Sequence, residues 1–133
     1  MASPPQARAE PLVLVVDDDE RNRKLAREVL RAAGLGTVEA GNGGDALAVA
    51  SDALPDVILL DLHLPDMDGM EVARRLRADA RTAAIPLVAF SASRRIGTAG
   101  ELEQAGFDGY LSKPFDVRAF PALVRDFCAR APG

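Results

Sequence analysis

Cysteine is almost absent from the chain. Cys128 stands alone, which excludes a disulfide framework and a metal site built on thiolates. Long apolar runs are missing too: none has the length needed to cross a membrane. The opening "MASPPQARAEP" lacks the apolar stretch of a secretory signal. A reducing cytoplasm is the expected location, without membrane attachment. Positive charge is also short, with 16 Lys and Arg against 20 Asp and Glu, so the net charge of −4 argues against non-specific nucleic-acid binding. Arg74, Arg75, Arg77 and Arg81 do cluster, but no aromatics interleave them, and a solvated helix face is the expectation.

What remains is ordinary for one globular domain: 133 residues, 48% hydrophobic and 27% charged. Residues 1–11 carry three prolines among small and polar residues and read as a disordered tail, which leaves 12–130 for the fold. No room is expected for an output domain. Short apolar runs then recur at Leu12–Val16, Thr37–Ala40, Val57–Asp61, Leu87–Phe90 and Tyr110–Ser112.

Between the runs lie stretches with helical spacing. Leu25, Val29, Leu30 and Ala33 form one stripe, ended by Gly34 as the C′ residue. Leu47, Ala50 and Leu54 form a second, entered through "GNGG" and closed before Pro55. Val72, Ala73 and Leu76 form a third, starting near Asp68-Gly69. A fourth segment, "RRIGTAGELEQAG", is weakened by Gly97 and Gly100, each costing about 1 kcal/mol against alanine. Either that helix starts late or it is a soft, movable element. Val117, Phe120, Leu123, Val124 and Phe127 make the last stripe, behind Asp116 as N-cap, with Pro121 placed awkwardly inside it. Five strands alternating with five helices imply an α/β fold with a parallel sheet covered on both faces.

Ligands of such sheets sit at the carboxyl ends of the strands. In "LVLVVDDDE" five aliphatic residues run straight into four acids, which either cap a helix or hold a cation. Strand one ends in Asp17 and Asp18, strand three in Asp61, strand four in Ser91 and strand five near Lys113. Oxygen-only ligands suit Mg²⁺. A carboxylate beside that ion can also attack a phosphoryl group, while Lys113 and the Ser91 hydroxyl pair with its oxygens. Singly, each residue has a bland reading; a strand-end Asp most often caps a helix. The joint pattern on successive strand ends is the signal.

The motifs "VVDD", "LLDLHLPDMDG", "FSAS" and "GYLSKPF" together resemble a response-regulator receiver domain, over roughly Leu12 to Ala129. The resemblance implies a flavodoxin-like, doubly wound sheet of strand order 2-1-3-4-5. It implies Asp61 as phosphoryl acceptor, Asp18 as direct metal ligand, Asp17 acting through a metal-bound water, and the His63 backbone carbonyl as a further ligand. Mg²⁺ is the implied ion, with Mn²⁺ as an alternative. Ser91 matches the hydroxyl position, Lys113 the phosphate-pairing lysine and Tyr110 the aromatic switch.

The implied donor is a histidine kinase or a histidine phosphotransfer protein. The implied output is a downstream protein bound at the face of the fourth helix, fifth strand and fifth helix. "FDGYLSKPF" and "RNRKL" carry the flavour of single-domain regulators of chemotaxis or cell division. His63, the only histidine, is either an exposed loop side chain or a group that tunes water access. The softened fourth helix and Pro121 predict a compliant output face. Two other readings compete: a Mg²⁺-dependent phosphohydrolase with an Asp nucleophile, and a degenerate receiver that only binds partners. Such hydrolases usually carry a second Asp two residues after the nucleophile, where this chain has His63.

Overall fold

The computed structural model describes residues 11–91 and 104–112, together with positions 122, 124 and 126. Five parallel strands run through these residues: β1 (Leu12–Val16), β2 (Gly36–Ala40), β3 (Val57–Asp61), β4 (Leu87–Ser91) and β5 (Gly109–Ser112). Their order across the sheet is β2-β1-β3-β4-β5, the doubly wound arrangement expected above. Three helices alternate with the first four strands: α1 (Glu20–Ala32), α2 (Gly43–Ala53) and α3 (Gly69–Ala78). The expected fourth and fifth helices, with Gly97, Gly100, Asp116 and Pro121, lie largely outside the described residues. Gln104, Ala105, Ala122, Val124 and Asp126 are helical.

Strand alternation sorts the core into two layers. Leu14, Val16, Ile58 and Leu60 join Ala46 and Ala50 of α2 and Val72, Ala73 and Leu76 of α3 on one face. Val13, Val15, Val57 and Leu59 join Ala26 and Leu30 of α1, and Val124, on the other. All five residues of β3 are buried, as a central strand covered on both sides requires.

Caps set the helix limits. Asp19, Asn42 and Asp68 cap α1, α2 and α3, each accepting from a main-chain N–H of the first turn. Gly34 takes φ +87° just past Ala33, the C-cap of α1. Two stripe assignments shift. The buried stripe of α1 centres on Ala26 and Leu30, and Leu25 is 44% exposed. Position 25 lies about 100° around the helix from position 26, and the small Ala26 lets α1 settle close to the sheet. Leu54 is the C-cap of α2 in the left-handed region, φ +46°, so it ends the helix instead of extending its apolar face.

The arginine cluster divides. Arg74, Arg75 and Arg81 are exposed, and Arg74 and Arg75 pair with Glu71 one turn back. Arg77 is not a solvated side chain. Its guanidinium donates to the carbonyls of Ala83 (2.6 Å), Ile85 (2.7 Å) and Gly106 (2.6 Å), and pairs with Asp108 at 2.7 Å. Gly106 has φ +104°, and a Cβ there would sit 2.7 Å from Arg77 Cγ, so the close approach needs glycine twice over. Asp108 in turn accepts from the Leu87 N–H, at the start of β4. Arg77 thus pins the far ends of β4 and β5 to α3. Arg77→Met retains the apolar stem but leaves three carbonyls without this donor. It is expected to destabilise the domain by about 3 kcal/mol, read from urea unfolding, whereas Arg74→Met changes stability by less than about 0.5 kcal/mol.

Candidate functional site

Strand register brings the acids together. Val16 pairs with Leu60 across β1 and β3, so Asp17, the next residue of the chain, comes level with Asp61 at the end of β3. Asp61 pairs with Phe90 of β4, and Ser91 with Ser112 of β5. The carboxyl ends of four neighbouring strands therefore share one rim. Ser91 and Tyr110 lie on β4 and β5 and are placed by their backbone alone. Lys113, one residue beyond Ser112, lies outside the described residues.

Asp17, Asp18 and Asp61 offer carboxylate oxygens all within 4.8 Å of one another. Asp17 is fully buried, Asp61 is 5% exposed, and Asp18 faces solvent. Local hydrogen bonds fix two of them: Asp17 Oδ1 accepts from the Asp19 N–H, and Asp61 Oδ1 from the His63 N–H, each at 2.9 Å. Such turns let an aspartate hold its own chain two residues on. Three carboxylates this close repel one another unless a cation sits among them.

The donor set suits a small hard cation. Two ligands on opposite sides of Mg²⁺ span about 4.2 Å, twice the usual metal–oxygen distance. The three carboxylate oxygens lie within 4.8 Å of one another, close enough for one such cation to lie among them.

The loop beyond Asp61 is tightly built. Its first turn is closed by the Gly69 N–H on the Leu62 carbonyl (3.1 Å) and by a bridge between His63 and Asp68. The His63 side chain is exposed, and its backbone carbonyl lies in this turn. Gly69, the first residue of α3, lies so close to β3 that a Cβ would stand 2.7 Å from the Asp61 carbonyl oxygen and from Leu62 Cα.

Asp66 was not among the residues expected from sequence. Its carboxylate accepts from the N–H groups of Gly43 (2.7 Å) and Gly44 (2.9 Å), tying the loop to the start of α2. The only hint in the chain was "GNGG", a helix start rich in open N–H groups that favour an anion. Nothing in the order of residues joins position 66 to position 43.

These two bonds, Gly43 first, hold the Asp66 carboxyl below the usual carboxylate range. A depressed carboxyl pKa contributes stability that is complete above the ordinary value near about 4 and is lost as pH falls through the folded value. Asp66→Asn is therefore expected to melt below the parent chain near neutral pH. The gap should begin to close as pH drops below about 4 and vanish once pH has fallen below the lowered folded value, where the parent's carboxyl is itself neutral. Paired thermal melts across that range measure it.

Comparison with known proteins agrees with this architecture. The family profile described as "Response regulator receiver domain" matches residues 13–125. The polar-differentiation response regulator DivK of Brucella anthropi is 35% identical over 119 residues, covering 90% of this chain and 97% of its own. Among solved structures, the chemotaxis protein CheY4 of Vibrio cholerae superposes with a TM-score of 0.83 at 28% identity, covering 90% of this chain and 99% of its own. The receiver domain of the sensor histidine kinase PA1611 from Pseudomonas aeruginosa gives 0.82 at 28% identity, covering 91% and 99%. That structure holds a magnesium ion coordinated in its active-site cleft.

Proposed function

The chain belongs to the response regulator receiver domain family, and we propose that it accepts a phosphoryl group on Asp61 in a Mg²⁺-dependent reaction and signals by binding another protein. The observation that carries this reading is the register of β1 and β3, which gathers Asp17, Asp18 and Asp61 at one rim. The 97% coverage of the Brucella regulator supports reading 12–130 as one receiver unit.

Asp17, Asp18, Asp61 and the His63 carbonyl would hold the ion, Mg²⁺ or alternatively Mn²⁺. When bound, it supplies positive charge that offsets the phosphoryl oxygens. A carboxylate oxygen of Asp61 attacks the phosphorus of a phosphohistidine on a histidine kinase or phosphotransfer protein. The P–N bond breaks and its electron pair returns to the imidazole. The His63 N–H holds the Asp61 carboxylate in a fixed rotation, which reduces the reorganisation needed for attack. Burial of Asp61 leaves the rim as the path by which donor and water arrive. Lys113 and Ser91 pair with the oxygens of the transferred group, and hydrolysis of the acyl phosphate resets the domain.

Ser91, drawn towards the phosphate, and Tyr110, turning inward, would pass the change to the face around β5, where a downstream protein binds. The chain then acts as a cytoplasmic signalling protein that catalyses only its own phosphorylation and dephosphorylation. No described helix is long and apolar enough to cross a membrane.

A small-molecule phosphodonor tests the reading. With Mg²⁺ the chain should gain one acid-stable, base-labile phosphoryl group by mass spectrometry, and a chelator should prevent the gain. Turnover of a phosphoester without labelling would favour the hydrolase, and neither labelling nor turnover would favour a purely binding role.

A further inference from the structure

The turn carrying Asp18 is gripped from behind by a side chain outside the acid cluster. Arg23 lies one turn into α1, and its Nη1 donates to the backbone carbonyl of Asp17 at 2.5 Å. That carbonyl belongs to the planar peptide joining Asp17 to Asp18. Holding it sets the direction in which the chain carries Asp18 off the strand. The Asp17 N–H donates on its other side to the Ala40 carbonyl at 3.1 Å, so this residue is tied to β2 as well as to α1.

Arg23 is itself braced. Its Nε lies 3.5 Å from Glu39 Oε1 on β2, and the other oxygen of Glu39 accepts from Arg27 Nη1 at 2.8 Å. The three side chains are only 21–33% exposed, which shields the arrangement from solvent. A guanidinium is a planar fork that can meet a carbonyl and a carboxylate on different elements at once. An ammonium is a single point on a flexible stem and cannot hold the same two acceptors in one plane. Gly41 leaves room for this: a Cβ there would lie 3.2 Å from Arg23 Nη1.

We infer that Arg23 is a positioning residue for the cation site: it orients the Asp17–Asp18 peptide so that both carboxylates meet Asp61, and Glu39 keeps it aimed. This rests on the reading of the three acids as a cation site. Groups that orient metal ligands from behind typically govern affinity by about 10–100-fold.

The test is a Mn²⁺ titration followed by electron paramagnetic resonance, on the full chain and without a phosphodonor. Arg23→Met, which retains the apolar stem, is expected to weaken Mn²⁺ binding about 10–30-fold. Arg23→Lys, which keeps the charge but not the fork, is expected to weaken it about 3–10-fold. Arg27→Met, which leaves the contact with Asp17 in place, should stay within about threefold of the parent chain.

Parental affinity in Arg23→Lys would show that charge alone matters and would overturn the positioning role. Because Arg23→Lys preserves charge and most of the packing, it carries the comparison if Arg23→Met does not fold. Asp18→Asn separates the two levels of the argument. Lost binding there with parental binding in both Arg23 variants removes the inference and leaves the site. Parental binding in both Asp18→Asn and Asp61→Asn removes the site and the inference together.

Discussion

Asp61→Asn is expected to abolish phosphoryl acceptance completely while leaving the domain folded. The amide oxygen can still accept from the His63 N–H, so the turn beyond β3 keeps its closing bond. The lost negative charge stood within 4.8 Å of two other carboxylates, and its removal relieves repulsion among them. Without added metal the variant should therefore melt no lower than the parent chain. The missing property is the nucleophile: a neutral amide oxygen does not form the acyl phosphate. Phosphorylation by a small-molecule donor, followed by mass spectrometry, should show one phosphoryl group on the parent chain and none on the variant. A labelled variant would move the acceptor away from Asp61.

Gly69→Ala is expected to damage both stability and chemistry. The added methyl would lie 2.7 Å from the Asp61 carbonyl oxygen, 2.7 Å from Leu62 Cα and 3.2 Å from Leu62 Cδ2. The first two are main-chain atoms of the strand end and its turn, so no side-chain rotation relieves the overlap. Either α3 moves away from β3 or the Asp61–Leu62 segment shifts. Overpacking against fixed backbone should cost about 3 kcal/mol and lower the melting temperature by about 10 °C.

A shift of the Asp61–Leu62 segment also displaces the carboxylate proposed to accept the phosphoryl group. The phosphorylation rate at saturating Mg²⁺ should fall about 10–100-fold, since a displacement near 1 Å can cost that much. Gly44→Ala is the control, because a Cβ there would meet its nearest neighbours at 3.5 Å, ordinary contact. Its stability should stay within about 1 kcal/mol of the parent. Equal stability in the two variants would show that the backbone at Asp61 yields more readily than its packing suggests.

Local order was legible wherever neighbours in the chain are also neighbours in space. The aliphatic runs became strands, Asp19 and Asp68 became caps, and Gly34 ended α1, because propensity and capping act over a few residues. The rim of acids was legible for a related reason: in a parallel sheet every strand ends on the same side. In the stripe of α1 Leu30 is buried and Val29 packs on the core, but the geometry of helix against sheet selected Ala26 over Leu25. Arg77 was grouped with its exposed neighbours on spacing and charge alone. Its acceptors lie up to thirty-one positions away, where no local pattern reaches.

By itself the sequence determined the five strands and the first three helices, the cover on both faces of the sheet, and which oxygens finish the strands. Side-chain period, turn chemistry and the polarity of parallel strands are all readable along one dimension. Only the tertiary structure decided how those groups meet. The pairing of Val16 with Leu60 set Asp17 beside Asp61, and the approach of α3 made Gly69 indispensable. Asp66 was drawn to the first turn of α2, and Arg23 to the back of the Asp17–Asp18 peptide. Each of these depends on the docking of one element against another. Close packing of a two-faced core sets that docking, and it has no signature in the order of residues.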